Sequence, residues 1–272
     1  MNRKAKGVGG AGSDADQPEE TIFESLAGIC SVLVVGLFVL TFLAQNMVIP
    51  SGSMEDTLLV GDHLVVDRIT LAPPSKWMPL VHYREPKRGD IVVFKKTVAD
   101  LDKDGNPDYP FLVKRLVGIP GDRIHLHDGV VYLNGVAQNL PTEGKQLPTD
   151  PIDRQFLDEF PSVAPDPQPG NFITEAWAVD YSNHVQNGDL VVPDGQYFMM
   201  GDNRHRSADS RFWGFVPREN VMGRPLFNYW SFKTPDEQEY KTSASDQIAW
   251  MGHVVLHFFT DTRWLRTLHR VR

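Results

Sequence analysis

The chain has very little cysteine, because Cys30 is the only one in 272 residues. A single thiol excludes an internal disulfide and a metal site built on cysteines. Basic residues are also in deficit, with 27 Lys and Arg against 35 Asp and Glu and a formal net charge of −8. Since nucleic-acid binders neutralise phosphates with a basic surface, this balance excludes that class and a nucleic-acid partner.

Several motifs of known enzymes and metal sites are missing. The sequence has no Gly-x-Ser-x-Gly elbow, and no lysine stands three residues after Ser53, so the signatures of α/β-hydrolases and penicillin-binding proteins are absent. The nine histidines are scattered. His125 and His127 would share one strand face, but no third ligand is near, and we predict no metal site.

The acidic stretch Asp100–Asp108 matches only the first half of an EF-hand calcium loop. The twelfth position should be a bidentate glutamate, and here it is Phe111. Because Asp-Gly closes turns readily, an acidic hairpin turn is the favoured interpretation. A calcium-binding surface protein is the alternative. If a chelator left the stability of the protein unchanged, this alternative would be excluded.

A run of 18 uncharged, mostly apolar residues covers Leu26–Leu43. At about 1.5 Å per residue the run is about 27 Å long as a helix, close to a bilayer core of about 30 Å. Three basic residues precede it and the next is Arg68, so the positive-inside rule places the N-terminus in the cytoplasm. We predict a disordered cytoplasmic tail over residues 1–21 and one transmembrane helix over residues 22–46. A cleavable signal peptide is the rival, but its apolar region spans only about 7–15 residues.

Residues 47–238 change to short β-rich runs between Gly, Pro, Asn and Asp, and are predicted to lie outside the membrane. The runs typical of strands are residues 63–69, 90–95, 111–118, 122–135 and 195–202. Within 122–135, Asp128-Gly129 predicts a hairpin turn. The pattern predicts a mostly β fold, with folded antiparallel sheets or a barrel-like domain. The proline-rich residues 138–188 are predicted to be an insertion, either a small subdomain or a long surface excursion.

The C-terminal segment, residues 239–272, combines an apolar stretch with a basic end. Gln247–Thr260 carries no Asp, Glu, Lys or Arg over 14 residues, and four arginines follow it. An interfacial helix on anionic lipid explains both halves. A short second span that returns the arginines to the cytoplasm is the alternative.

Ser53 and Lys114 are the candidate catalytic pair. A serine needs a base, and where no histidine is placed for it, a lysine made neutral by burial can serve. Lys114 lies in the apolar strand pattern of residues 111–117. Alternation along that strand leaves a second interpretation, in which either Lys114 or Arg115 simply points to solvent.

Five sequence motifs, taken in their order along the chain, favour the catalytic interpretation of Lys114 over the solvent-facing one. They are IPSGSMEDTL, DRI, RGDIVVFK, VKRLVGIPGD and YFMMGDNRHRSADSRFWGFVP, behind an N-terminal apolar run. This arrangement resembles bacterial type I signal peptidase, a membrane-bound protease with a Ser-Lys dyad. The resemblance covers about residues 26–70, 88–135 and 190–230, and leaves out the insertion and the C-terminal segment.

The resemblance implies a role for each matching residue. Ser53 is the expected nucleophile and Lys114 its general base, while the Ser51 hydroxyl and the Ser53 N–H form the oxyanion hole. Ser207 is expected to hydrogen-bond the lysine amine. The expected supporting charges are Asp202, Arg204, Asp209 and Arg211.

The resemblance also implies a substrate and a location. Shallow apolar pockets would admit small side chains, so cleavage is expected after Ala-x-Ala in the signal peptides of exported preproteins. The expected pocket residues are Ile49, Pro50, Met54, Leu58, Leu112 and Val113. The expected partners are these preproteins and membrane lipid, without cofactor or metal, at the bacterial inner membrane with the catalytic domain on the periplasmic face.

The chain departs from the commonest family pattern at His205-Arg206, where Asp-Asn is more usual. Arg206 would favour the neutral lysine amine if it lay near Lys114. A membrane-anchored binding protein that keeps the fold without catalysis is the alternative from another class. Retention of both Ser53 and Lys114 opposes it. A self-cleaving repressor would need a DNA-binding domain where this chain has its apolar run.

Overall fold

The structure is a computed structural model that describes residues 21–38, 43–55, 57–72, 82–101, 107–139, 151–167, 172–235, 238, 241 and 243–271. The chain divides into two compact units, Met1–Val39 and Leu40–Arg272. The helices are α1 (Ile22–Phe38), α2 (Pro151–Asp158), α3 (Glu175–Asp180), α4 (Ser210–Trp213), α5 (Ala244–Leu256) and α6 (Phe258–Asp261). The strands are β1 (Ala44–Val48), β2 (Asp62–Asp67), β3 (Ile91–Lys95), β4 (Asp100–Leu101), β5 (Pro107–Asp108), β6 (Phe111–Gly118), β7 (Arg123–His127), β8 (Val130–Leu133), β9 (Val136–Ala137), β10 (Val185–Gln186), β11 (Asp189–Val191), β12 (Gln196–Met200), β13 (Val216–Pro217), β14 (Val221–Ser231) and β15 (His269–Arg270).

Helix α1 belongs to the first unit and begins with a capping box. Glu24 accepts hydrogen bonds from the N–H and the hydroxyl of Thr21, both at 2.9 Å, and donates its own N–H to the Thr21 hydroxyl at 3.3 Å. None of its side chains is buried. Within the described residues, no helix combines the length and the apolar character that crossing a membrane requires.

The C-terminal end of the predicted transmembrane helix, residues 22–46, folds differently. Ala44–Val48 form β1, which pairs antiparallel with β2 from Ala44 opposite Asp67 to Val48 opposite His63. The absence of charge favours continuing the helix through these residues, but backbone pairing with a distant strand determines their conformation. Residues 39–42 lie outside the described residues.

The second unit is built from antiparallel sheets. Eight strands form the main sheet in the order β1-β2-β14-β3-β6-β12-β13, with β15 also paired to β14. Register shifts within β14 and between Phe198 and Met199 curl this sheet into a half-barrel. A second sheet has the order β10-β11-β7-β8-β9. The predicted mostly β fold is confirmed.

Two predicted turns fall at strand ends. Asp128 and Gly129 have φ of 49° and 74° between β7 and β8, the left-handed conformation that a type I′ hairpin turn requires. In the acidic stretch, Asp100 pairs with Asp108, as in a hairpin, and residues 102–106 lie outside the described residues. Among the described residues, no group of three His, Cys, Asp or Glu side chains could hold a metal ion.

The described part of the predicted insertion packs into the core. Phe156, Leu157 and Phe160, from α2 and the turn after it, are buried in one cluster with Trp177 of α3. That cluster also contains Phe198 of β12, from the main sheet. In its described residues the stretch is therefore built into the domain and is not a surface excursion.

The C-terminal segment packs against the rest of the second unit. Ser243 caps α5 by accepting a hydrogen bond from Asp246 N at 3.1 Å, and α5 is 13 residues long. After α6, Arg263 donates to the Val60 carbonyl at 3.0 Å, and Arg266 pairs with buried Asp62 at 2.7 Å. At least two of the C-terminal arginines are thus bound to the protein itself.

Because the insertion packs into the core, shortening one of its buried side chains should cost a large part of the protein's stability. Phe160→Ala would remove a fully buried ring and leave a cavity, so we expect a loss of about 3–5 kcal/mol in the free energy of unfolding. Urea denaturation of the full chain in detergent measures it. The matched control is Phe172→Ala, because Phe172 lies in the same insertion with its ring 69% exposed. Equal losses in the two variants would contradict the packing.

Candidate active site

Ser53 lies in a 3₁₀ turn, Gly52–Met54, that follows β1. Ser51 has extended backbone angles at the start of the turn. The turn is held from a distance by Asn203, which donates its N–H to the Ser53 carbonyl at 3.1 Å and its side-chain amide to the Gly52 carbonyl at 3.2 Å. Met54 is buried beneath the serine, so the turn is fixed on both sides.

Lys114 lies in β6, near the middle of the main sheet. Its backbone pairs with Val92 of β3, and the next residue, Arg115, pairs with Met200 of β12. The side chain is only 4% exposed, and its Nζ lies 2.5 Å from Ser53 Oγ. The structure therefore brings together the two residues that the sequence predicts as a pair, although 61 residues separate them.

The environment of Lys114 favours its neutral form. Burial lowers the pKa of its amine from 10.5 to about 8, while Asp209 and Asp202 oppose this shift and Arg211 supports it. An amine with this pKa is partly neutral at physiological pH. Its free electron pair can then accept the proton of the serine hydroxyl.

A loop between β12 and α4, residues 201–209, carries the supporting charges. Asp209 accepts hydrogen bonds from Gly201 N at 3.1 Å and from Arg211 Nε and Nη2, both at 2.9 Å. Burial raises the pKa of Asp209, but the charge and hydrogen bonds of Arg211, the Gly201 N–H and the charge of Lys114 together outweigh burial, so the net pKa is lowered. Arg204 donates from Nε to the Gly201 carbonyl at 3.0 Å, and burial lowers its pKa to about 10.

Ser207 is buried close to the pair, but its hydroxyl has no hydrogen-bond partner among the described residues. The expected hydrogen bond from Ser207 to the Lys114 amine is therefore not made in this structure. A Cβ placed on Gly201 would lie 2.2 Å from Ser207 Oγ and 2.4 Å from the Ser53 carbonyl oxygen. Gly201 thus lets the loop approach the nucleophile turn closely.

Arg115 and Thr57 bind Asp202, an expected supporting charge, in a contact network that the sequence did not predict. Arg115 makes two 2.7 Å hydrogen bonds to the Asp202 carboxylate, and the Thr57 hydroxyl donates to the same carboxylate at 2.6 Å. Both Lys114 and Arg115 are buried, so neither points to solvent as strand alternation allows. The signal in the sequence was a second basic residue within an apolar strand, and its acidic partner lies 87 residues away.

The predicted pocket residues do not all lie together. Ile49, Met54 and Leu58 are buried in one cluster, with Val113 packed against it. Leu112 instead packs against a different cluster, which contains Val92, Phe94 and Leu116. Ser51 and Pro50 are exposed at the start of the nucleophile turn.

A serine hydroxyl beside a buried amine is the arrangement of serine hydrolases that use lysine as base. Comparison with known proteins agrees with this class. The family profile described as "Signal peptidase, peptidase S26" matches residues 22–230. The "Probable signal peptidase I-2" of Synechocystis sp. is 33% identical over 213 residues, 78% of this chain and 75% of that protein. The "Signal peptidase I" of Leptolyngbya laminosa is 31% identical over 79% of this chain and 84% of its own length.

The chain belongs to the signal peptidase family, peptidase S26, and is a hydrolase of the signal peptidase I class. A solved signal peptidase I from Enterococcus faecalis V583 is 26% identical and covers 52% of this chain and 97% of its own, with a TM-score of 0.28. The segment after residue 230 lies outside the family match.

The close approach at Gly201 predicts loss of activity on a minimal change. Gly201→Ala would place a methyl group within 2.4 Å of a backbone oxygen of the nucleophile turn, which must then move. Because a misplacement of about 1 Å can cost about 100-fold, we expect kcat to fall by about that factor. The control is Gly252→Ala, whose added methyl meets nothing within 4 Å. Wild-type kcat in Gly201→Ala would contradict the packing of this loop against Ser53.

Proposed function

We propose that this protein removes N-terminal signal peptides from exported preproteins by cutting after small residues of the Ala-x-Ala type. The observation that carries the proposal is the 2.5 Å approach of the buried Lys114 amine to the Ser53 hydroxyl. Family membership supports the reaction class. A chain that kept the fold only for binding would need neither residue at this position.

In the proposed reaction, Ser53 Oγ attacks the carbonyl carbon of the scissile peptide bond. The Lys114 amine takes the serine proton as attack proceeds, and returns it to the leaving amine when the peptide bond breaks. The signal peptide then remains as an ester on Ser53. Water, deprotonated by the same amine, attacks this ester and releases the signal peptide.

The oxyanion of each tetrahedral intermediate needs donors placed before the reaction begins. Ser53 lies in the first turn of a short helix, where backbone N–H groups lack partners within the helix. The Ser51 hydroxyl is exposed at the start of the same turn and has no capping role there. We assign the Ser53 N–H and the Ser51 hydroxyl as the two donors, and loss of one such donor typically costs about 3–4 kcal/mol.

The preference for small side chains follows from the closely packed floor beside Ser53. Met54 and Leu58 are almost fully buried, and Ile49 and Val113 lie in the same cluster, so little depth is left for a large substrate side chain. The substrate would bind in extended form, with its backbone along a strand edge. Leu112 packs elsewhere and has no part in this assignment.

The proposed location is the bacterial inner membrane, with the N-terminus in the cytoplasm and the β domain on the periplasmic side. The uncharged run Leu26–Leu43 and the basic residues before it support an N-terminal anchor in this orientation. The family relationship is consistent with a bacterial membrane enzyme. Large apolar side chains exposed near the C-terminus, including Phe259, Leu265 and Leu268, support lipid contact by the C-terminal segment as well.

Cleavage of a purified preprotein in detergent tests the proposed function. We expect the wild type to cut after the second alanine of Ala-x-Ala, and Ser53→Ala and Lys114→Met to be at least about 1,000-fold slower, because each removes one half of a unit that acts together. Methionine keeps a long apolar stem in the buried lysine site. Product masses locate the cut.

Controls for this experiment come from the same residue types on the surface. Ser162→Ala and Lys95→Ala change exposed side chains and should leave the rate unchanged. Circular dichroism must show that the two active-site variants remain folded. An inert wild type would refute the proposed function, whereas cutting at the same site by a folded Ser53→Ala variant would refute the assigned nucleophile.

The pH dependence of cleavage follows from the lowered pKa of Lys114. Below a pKa of about 8 the amine becomes protonated and cannot accept the serine proton, so kcat/KM should fall as pH decreases through that value. Rates on a peptide substrate between about pH 6 and pH 10 give the profile. The Lys114 amine should titrate at the same pH by NMR in the inactive Ser53→Ala variant. An optimum at mildly acidic pH would contradict a lysine base.

A further inference from the structure

His205 lies in the loop that holds the nucleophile turn. Asn203 of this loop makes both hydrogen bonds to the carbonyls of Gly52 and Ser53, so a displaced loop displaces the serine. Within the described residues, neither terminal nitrogen of Arg204 nor the hydroxyl of Ser207 has a hydrogen-bond partner.

The His205 side chain leaves the loop and contacts the insertion. Its Nε2 lies 2.9 Å from Oδ1 of Asp158, the last residue of α2. The two side chains are 15% and 18% exposed, so the contact is largely shielded from water.

Asp158 is a firmly held partner. The two residues before it, Phe156 and Leu157, are buried in the core. The Asp158 carbonyl accepts a hydrogen bond from Gly129 N at 3.1 Å in the turn between β7 and β8. The Asp158 carboxylate can fix the position of the catalytic loop, because core packing of the neighbouring residues fixes Asp158 itself.

A second bridge lies beside this pair. Arg211 donates from Nη2 to the Arg204 carbonyl at 2.5 Å and from Nη1 to the Leu157 carbonyl at 3.3 Å. The residue before His205 and the residue before Asp158 are thus joined by one guanidinium. The His205–Asp158 pair and the Arg211 guanidinium therefore connect the catalytic loop to helix α2 at two adjacent positions.

We infer that His205 and Asp158 are positioning residues, through which helix α2 of the insertion holds the catalytic loop, and with it Ser53, in register with Lys114. This inference rests on the proposed function for its kinetic consequence. It gives the insertion a part in catalysis. Loss of the pair should lower kcat more than it changes KM, because the pair sets Ser53 against Lys114, whereas Met54 is the one assigned pocket residue that lies in the nucleophile turn.

Steady-state kinetics on a peptide ending in Ala-x-Ala tests the inference. His205→Leu and Asp158→Ala should each lower kcat about fivefold, as expected for one lost hydrogen bond, with KM nearly unchanged. His205→Gln should recover most of the rate, because its amide can donate to Asp158. The double variant should be no slower than Asp158→Ala alone, since both single changes remove the His205–Asp158 contact.

The matched control is His127→Leu. His127 Nδ1 lies 3.0 Å from Glu159, the neighbour of Asp158, and among the described residues the ion-pair partners of its side chain, Glu159 and Asp128, lie outside the catalytic loop. Its loss should leave kcat at the wild-type value. Melting temperatures of all variants separate a local effect from general destabilisation. Wild-type kcat in His205→Leu, or additive effects of His205→Leu and Asp158→Ala, would overturn the inference.

Hydrogen exchange provides a readout that does not depend on cleavage. Amides of residues 201–211, followed by mass spectrometry, should exchange faster in His205→Leu and Asp158→Ala than in the wild type or His127→Leu. Unchanged exchange would overturn the inference even where activity falls. If the wild type fails to cut a preprotein, the proposed function fails, while the exchange data still decide whether this pair holds the loop.

Discussion

The site depends on one constraint, the burial of the Lys114 amine against the Ser53 hydroxyl. An ammonium group is costly to bury, so burial shifts this lysine toward the neutral form that can act as a base. Two carboxylates, Asp209 and Asp202, lie close enough to oppose the shift. Each is paired with an arginine, Asp209 with Arg211 and Asp202 with Arg115. Each arginine partly neutralises its carboxylate. The two carboxylates therefore raise the pKa of Lys114 less than unpaired charges would.

This requirement explains why the pair lies on a curled antiparallel sheet. A lysine is shielded from water when neighbouring strands cover its backbone and apolar side chains surround its aliphatic stem. Strand β6, which carries Lys114, lies between β3 and β12. The serine must reach the amine from outside that sheet. A tight turn after an edge strand does so, because Asn203 binds the Gly52 and Ser53 carbonyls and the buried Met54 side chain anchors the turn.

Local sequence patterns predicted some elements well and others not at all. Residues 111–118 form β6 with the predicted bounds, and Asp128-Gly129 forms the predicted turn, because both signals are local. Strand β14 was missed, since Pro225 and three register shifts interrupt its alternation. The Ser53 and Lys114 pairing was predicted from chemistry and from the resemblance together. The partners of Arg115 and His205 lie 87 and 47 residues away, and no local pattern indicates them.

The turn that carries Ser53 is held by segments that are distant from it along the chain. Asn203 and Asp202 bind it from the catalytic loop, through the Gly52 and Ser53 carbonyls and the Thr57 hydroxyl. From the C-terminal segment, Arg266 donates to the Thr57 carbonyl at 2.9 Å. The family match ends at residue 230, yet this later segment binds Thr57, three residues after the turn. A serine that reacts only when its hydroxyl meets one buried amine requires such constraints, because a turn of Gly, Ser and Met has little rigidity of its own.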